Sequence, residues 1–120
     1  RVNDMYQTEI KKIGKDANAF EAEKMIILFG DNAPDELVDF CYIIDINRVE
    51  NEITESNKLV IDGTEYGITK VGSAVNKNLN DLGHITLKFD GSTNAEQSGS
   101  LYLEDKPLVS LQVGSKIEIM

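Results

Sequence analysis

The chain has 120 residues, of which 41% are hydrophobic and 28% are charged, a composition typical of a globular domain. Its 21 acidic and 12 basic residues give a formal net charge of −9, which disfavours nucleic acid and anionic lipid as partners. Cys41 is the only cysteine, which excludes an internal disulfide and a four-cysteine zinc site.

The sequence predicts one cytoplasmic domain over residues 1–120. Its longest apolar stretch, "MIILF" at residues 25–29, is far too short to span a bilayer. No basic segment followed by an apolar core opens the chain, so we expect no signal peptide.

The first half of the chain contains three stretches with strand patterns. These are residues 6–13, 25–29 and 41–45. In the first, Tyr6, Thr8 and Ile10 alternate with polar residues, which predicts a half-buried strand. The other two are continuous apolar runs that predict strands buried on both faces. Between them, Asn32 as a cap and Pro34 in the first turn predict a short helix over residues 34–39.

The second half opens with the clearest local signal. Asp62-Gly63 separates two strand-like runs, and this pair favours the positive φ angles of a two-residue hairpin turn. An amphipathic helix is predicted over residues 73–82, capped by Ser73 and ended by Gly83. Three further strands are expected, at residues 85–89, 101–105 and 115–120.

These elements predict a mainly β protein with roughly seven or eight strands and two short helices. A small barrel or pseudobarrel is favoured, because closure removes exposed strand edges. The polar stretch at residues 46–57 is expected to be an exposed connection. The apolar runs at 25–29 and 41–44 suggest a surface to cover, so we also expect a homodimer.

The search for cofactor and metal motifs returns negatives. No glycine-rich nucleotide-binding motif is present, so no cofactor is expected. Asp45 and Asn47 have the first spacing of a calcium loop, but Val49 and Glu50 occupy later positions that need a ligand and a glycine. No metal site is therefore expected. Cys41 lies in an apolar run, where a thiol usually packs as a small hydrophobic group.

His84 is the only histidine and the one candidate catalytic residue. Strand alternation places it on a face with Thr86 and Lys88, away from the core. A neutral, accessible imidazole is a competent nucleophile, and these neighbours could stabilise an incoming anion. The end of the preceding helix, however, carries negative dipole charge and disfavours phosphate. An ordinary structural role for His84 is the alternative.

Four stretches resemble the glucitol/sorbitol-specific IIA component of the bacterial phosphoenolpyruvate-dependent sugar phosphotransferase system. They are residues 6–14, 25–41, 68–91 and 99–105. The resemblance implies a small β barrel that accepts a phosphoryl group from the carrier protein HPr on a histidine. It also implies transfer to the IIB part of a membrane permease, whose IIB/IIC components phosphorylate the sugar during uptake.

This sequence departs from the family pattern at one position. The resemblance places the phosphorylated histidine three residues after Cys41, where this chain has Ile44. A branched alkyl group cannot form a phosphoramidate. Two hypotheses follow: His84 carries the phosphoryl group, or the chain is a non-catalytic binding or regulatory module whose docking surface surrounds a vacant acceptor position.

Overall fold

The computed structural model describes residues 4–120 and shows eight strands, two α-helices and one short 3₁₀ turn. The strands are β1 (Tyr6–Ile13), β2 (Met25–Phe29), β3 (Tyr42–Ile44), β4 (Lys58–Ile61), β5 (Thr64–Val71), β6 (Ile85–Lys88), β7 (Ser100–Leu103) and β8 (Lys116–Ile119). The helices are α1 (Asp35–Val38) and α2 (Val75–Leu82), and the 3₁₀ turn is Glu21–Glu23. The predicted mainly β fold with two short helices is confirmed.

The strands close into a barrel in the order β1-β3-β2-β6-β7-β5-β4-β8. Pairing of β8 with β1 completes the ring, with Tyr6 opposite Ile119 and Glu9 opposite Lys116. Most neighbours are antiparallel, whereas β2–β3 and β6–β7 are parallel. Across residues 4–120, none of the helices has the length and hydrophobicity needed to cross a membrane.

The barrel interior is filled by the residues that the alternating patterns place inward. Tyr6, Thr8 and Ile10 of β1 are buried, and Ile85 and Leu87 of β6 are fully enclosed. Burying each large aliphatic side chain stabilises the fold by about 1.5–3 kcal/mol. The predicted inward faces of these two strands are therefore confirmed.

One end of the barrel is covered by α2 and by the connection before β4. Val75 and Leu79 of α2 are fully buried in the core. The connection at residues 46–57 is irregular, as predicted, but its Val49 and Ile53 are also buried. The expectation of an exposed connection is therefore wrong at these two positions, because their side chains close the barrel end.

Two asparagines of α2 hold this connection in place. The Val49 N–H donates to Asn80 Oδ1 at 2.8 Å, and the Ile53 N–H donates to Asn76 Oδ1 at 3.0 Å. Amide side chains on the helix thus satisfy backbone donors of a segment that has no strand partner.

The opposite end of the barrel is covered by the chain after β7. Because β6 and β7 are parallel, the segment that follows β7 lies at the other end from α2, which precedes β6. Leu108, Val109 and Leu111 pack against the core there. The Tyr66 hydroxyl donates to the Pro107 carbonyl at 2.9 Å and accepts from the Val109 N–H at 3.1 Å.

The predicted hairpin turn at Asp62-Gly63 and the predicted end of α2 at Gly83 are confirmed. Asp62 and Gly63 have φ angles of 48° and 86° and join β4 to β5 as predicted. Gly83 ends α2 with φ at 65°. The His84 N–H reaches the Asn78 carbonyl at 3.2 Å, which completes a helix-ending motif.

The predicted N-terminal caps of both helices are wrong. Ala74 is the N-cap of α2 and Pro34 is the N-cap of α1, and neither makes a side-chain capping bond. At α2 the backbone sets the start instead, because the Ala74 N–H donates to the Ser98 carbonyl at 2.9 Å. Ser73 and Asn32 therefore have no capping role.

The apolar runs that suggested a homodimer are largely covered within one chain. Phe29, Cys41 and Ile43 form a small cluster outside the barrel, packed against Val38 of α1 and Ala33 before it. The homodimer stays a prediction.

Candidate functional site

His84 lies at the junction between α2 and β6. Gly83 adopts the left-handed conformation that ends the helix, and Ile85 then begins the strand with its side chain in the core. His84 consequently faces outward and is half-buried. Leu28 of β2 pairs with Ile85, so the next residue of β2, Phe29, lies beside His84.

The imidazole of His84 stacks on the ring of Phe29. The ring centroids are 4.2 Å apart and the planes are inclined by 23°. Phe29 is 5% exposed and is held by the cluster that it forms with Cys41 and Ile43. One face of the imidazole therefore rests on a fixed aromatic surface.

A backbone carbonyl sets the tautomer of His84. Its Nδ1 lies 3.3 Å from the carbonyl oxygen of Leu28. A carbonyl oxygen can only accept a hydrogen bond, so Nδ1 must carry the proton. In the neutral ring the lone pair is then on Nε2, the nitrogen that is free to act as a nucleophile.

Two glycines let the turn after β2 approach the end of α2. The Gly30 N–H donates to the Leu82 carbonyl at 2.8 Å. A Cβ on Gly30 would lie 2.6 Å from that carbonyl and 2.5 Å from Ile46 Cδ1, and a Cβ on Gly83 would lie 3.0 Å from the Gly30 nitrogen. Only glycine fits this contact, which holds the turn after Phe29 against the end of α2.

The same contact reduces the negative charge at the end of α2. The Leu82 carbonyl accepts from Gly30, and the Asn78 and Leu79 carbonyls accept from His84 and Gly83. Unpaired carbonyls produce the partial negative charge at a helix C-terminus, which would disfavour phosphate at His84. Because these carbonyls are hydrogen-bonded, that unfavourable effect is reduced.

Thr86 and Lys88 lie at different distances from His84 along β6. Both share the outer face of β6 with His84 and are half-buried. Lys88 lies four residues along the strand, about 13 Å from His84 at the usual rise per residue, whereas Thr86 lies about half that distance away. Thr86 remains a candidate donor.

Exposed apolar and acidic residues lie near His84 along the chain or next to the Gly30–Gly83 contact. Leu82 is 36% exposed, and Ile46, which lies against Gly30 and Gly83, is 38% exposed. Asp31 directly follows Gly30, and Asp81 is in the last turn of α2; both are exposed. We call Ile46, Leu82, Asp31 and Asp81 the His84 rim.

Other residues that the sequence singled out each have contacts of their own. Ile44 is 1% exposed, with its side chain in the barrel core. Cys41 is buried, its Sγ donates to the Leu37 carbonyl at 3.2 Å, and burial raises the pKa of the thiol. Asp45 lies 3.5 Å from Lys11, whereas the Asn47 amide donates to the Gln7 carbonyl at 2.7 Å.

Comparison with known proteins identifies the family. Residues 5–118 match the family model described as "PTS system glucitol/sorbitol-specific IIA component". The chain belongs to this IIA family. The resemblance seen in the sequence is therefore confirmed.

Relatives of this IIA family member support the assignment over most of the chain. Proteins named "PTS system glucitol/sorbitol-specific EIIA component" from Shigella flexneri and Escherichia coli strain K12 are each 33% identical over 99 residues. The match covers 82% of this chain and 80% of each relative. A crystal structure of a PTS system IIA component from Enterococcus faecalis V583 is 36% identical, with a TM-score of 0.82, covering 93% of this chain and 97% of that chain.

The sequence singles out His84 as a candidate but does not reveal the groups that contact it. The sequence indicates only that Phe29 ends a buried strand, and no sequence pattern marks the carbonyl of Leu28. Ile46 is exposed as predicted, but nothing in the sequence places it against Gly30 and Gly83. The contacts of Leu28 and Phe29 with His84 can be detected only when the pairing of β2 with β6 is known, because these residues are more than 50 positions apart in the chain.

Proposed function

We propose that this IIA family member is a phosphocarrier of a sugar phosphotransferase system, with Nε2 of His84 as the acceptor atom. It receives a phosphoryl group from HPr and passes it, in the cytoplasm, to the IIB part of a glucitol/sorbitol permease. The observation that carries the proposal is the contact between Nδ1 and the Leu28 carbonyl, which leaves the Nε2 lone pair available.

The transfer needs no proton movement at His84. The Nε2 lone pair attacks phosphorus, a nitrogen–phosphorus bond forms, and the bond from phosphorus to HPr breaks with its electron pair returning to HPr. Nδ1 keeps its proton and its carbonyl partner throughout. The second transfer, to IIB, reverses these steps with a new acceptor, so the free ring is regenerated.

The turn after β2 offers donors for the phosphoryl oxygens. The N–H groups of Asp31 and Asn32 donate to no other group within residues 4–120, and they directly follow the Phe29–Gly30 segment beside the imidazole. Together with the Thr86 hydroxyl, these groups could stabilise the transferring phosphoryl group. No metal is required by this arrangement.

The His84 rim fits a partner with apolar and basic surface. Ile46 and Leu82 supply apolar contact area next to the acceptor, and Asp31 adds to a chain whose net charge is −9, whereas Asp81 is paired with Lys77 at 2.7 Å. Such a surface attracts a basic partner at long range and excludes water around the transfer centre once docked. We propose that HPr and the IIB part use this same surface in turn.

The test is stepwise phosphorylation in a defined mixture. The protein is incubated with phosphoenolpyruvate, enzyme I and HPr, and intact mass is measured under alkaline conditions that preserve phosphohistidine. We expect one acid-labile phosphoryl group, which is lost when IIB is added and is absent from His84→Ala. Absence of label on the native protein, with a related IIA labelled in parallel, would contradict the proposal.

The second candidate function is a binding or regulatory module that docks to the same partners without carrying phosphate. The observation that favours it is Ile44, because the position where the resemblance places the phosphorylated histidine holds an aliphatic residue that is buried in the core. Titration with unphosphorylated HPr separates the two functions. Tight HPr binding without any labelling of His84 would support the module, whereas labelling supports the carrier.

A further inference from the structure

A polar groove lies at the end of the barrel opposite α2 and His84. It has a volume of about 490 Å³, which is within the range of small-molecule sites. Its polar lining comes from three separate parts of the chain: Lys15, Asn18 and Glu21 before β2, Tyr42 in β3, and Ser110 after β7. Nothing in the proposed phosphotransfer uses these residues.

Tyr42 gives the groove a fixed polar group. Its side chain is 4% exposed, because the ring is packed in the core, yet it contributes to the groove lining. Burial first, and then the carboxylate of Glu21 through its charge and its hydrogen bond with the phenol, raise the pKa of Tyr42. The phenol proton is directed to Glu21, and the phenol oxygen can still accept a hydrogen bond in the groove.

The opposite wall offers unused backbone groups. Within residues 4–120, the N–H groups of Leu108, Ser110 and Leu111 donate to no other group, and the carbonyls of residues 108–111 accept from none. The side chains of Leu108, Val109 and Leu111 are half-buried against the core and also line the groove. This wall thus combines apolar surface with backbone donors and acceptors that a ligand could use.

The charges of the groove do not favour an ionic ligand. Lys15 lies 4.0 Å from Asp39, and Glu21 supplies a second carboxylate close by. An anion would meet these carboxylates, and a cation would meet Lys15. A neutral molecule with many hydroxyls suits the groove better, because a carboxylate, an amide, a phenol and free peptide groups all pair with hydroxyls.

We propose that this groove binds a neutral polyhydroxylated small molecule, a monosaccharide or sugar alcohol. Glu21 and the Tyr42 oxygen accept from ligand hydroxyls, Asn18 exchanges hydrogen bonds with others, and the apolar wall at Leu108 and Leu111 receives the carbon face. This site is separate from His84, so it stands whether or not the protein carries phosphate.

Binding is tested by titrating isotope-labelled protein with glucitol, mannitol and glucose while recording amide chemical shifts. We expect saturable shifts confined to residues around 14–21, 42 and 108–111 for at least one of these probes. Glu21→Gln and Tyr42→Phe should each weaken that binding about tenfold, the usual loss for a hydrogen bond to a charged or buried group. Glu23→Gln, an exposed glutamate in the same 3₁₀ turn but outside the groove, is the matched control.

Two results would overturn the inference. One is the absence of saturable shifts in the groove with all three probes. The other is stronger binding of inorganic phosphate or of a phosphorylated hexitol at these residues, because that would require an anion site. Phosphorylation of His84 is measured separately and is expected to be unchanged in Glu21→Gln, so failure of one proposal does not imply failure of the other.

Discussion

The imidazole of His84 and the ring of Phe29 are stacked with their centroids 4.2 Å apart, and the carbonyl of the residue before Phe29 contacts Nδ1. The strand β2 therefore determines both the plane and the tautomer of the histidine. Because β2 is held between β3 and β6, this orientation is a property of the barrel.

We expect Phe29→Leu to slow phosphorylation of His84 several-fold. Leucine keeps apolar volume in the cluster with Cys41 and Ile43, so the loss of stability should stay below about 1.5 kcal/mol. The imidazole would lose its flat support and sample other orientations. The measurement is the initial rate of labelling by phosphorylated HPr, together with a denaturation curve.

Phe40→Leu is the matched control, because it makes the same chemical change at a half-buried ring that pairs with Phe20. Equal rates for both variants would show that stacking on Phe29 does not position His84.

Gly30→Ala should destabilise the protein by about 1–3 kcal/mol, the usual cost of forcing atoms into an occupied space. The added Cβ would lie 2.6 Å from the Leu82 carbonyl, so the turn after β2 would have to move away from α2. Urea unfolding measures the effect, and the labelling rate of His84 should fall as well.

Gly67→Ala provides the comparison for this variant. A Cβ there meets only Glu104 Oε1, at 3.5 Å, which is ordinary contact. If Gly30→Ala were as stable as Gly67→Ala, the close approach of the turn to α2 would not constrain the fold.

Docking should depend on the His84 rim. Replacing Ile46 or Leu82 by lysine places a cation where a basic partner must approach, and removes apolar contact area. Each change should weaken HPr binding about tenfold or more, while raising salt should weaken binding to the native protein. Titration calorimetry at two ionic strengths provides the measurement.

Val113→Lys is the control for docking, since Val113 is 65% exposed and precedes β8 at the other end of the barrel. A loss of affinity in this variant equal to that of Leu82→Lys would place the docking surface elsewhere.

Alkaline pH should destabilise the protein. Burial raises the pKa of the Cys41 thiol and of the Tyr6, Tyr42 and Tyr66 phenols above their ordinary values of 9.0 and 10.0. Above those values the unfolded chain loses protons that the folded chain retains, so the free energy of unfolding decreases as pH rises. Denaturation curves between pH 8 and 11 should show this fall, and a flat profile would contradict it.

The features that could be predicted from the sequence are local ones. The hairpin at Asp62-Gly63 and the end of α2 at Gly83 follow from positive φ angles, and the inward face of β6 follows from strict alternation. The prediction that Ser73 caps α2 was wrong. A backbone hydrogen bond from Ala74 to Ser98, which is distant in sequence, sets the start of the helix instead.

The site could be predicted only in part for the same reason. His84 is conspicuous as the single histidine, but Phe29 reaches it through strand pairing, and Ile46 reaches it through an irregular connection. The groove at the far end is assembled from three separate segments, and no local pattern marks residues that meet only after the barrel closes. The burial of Val49 and Ile53, in the connection at residues 46–57, was not predicted because most residues around them are polar or charged.

The most direct test of His84 as acceptor uses its uniqueness in the sequence. Protein labelled with ¹⁵N only in histidine is phosphorylated through phosphoenolpyruvate, enzyme I and HPr, and the imidazole nitrogens are recorded by NMR. Because Nδ1 is hydrogen-bonded to the Leu28 carbonyl, coupling between ¹⁵N and ³¹P should appear on Nε2 alone. Coupling on Nδ1, or an imidazole that remains free of phosphorus while HPr is fully phosphorylated, would contradict the account.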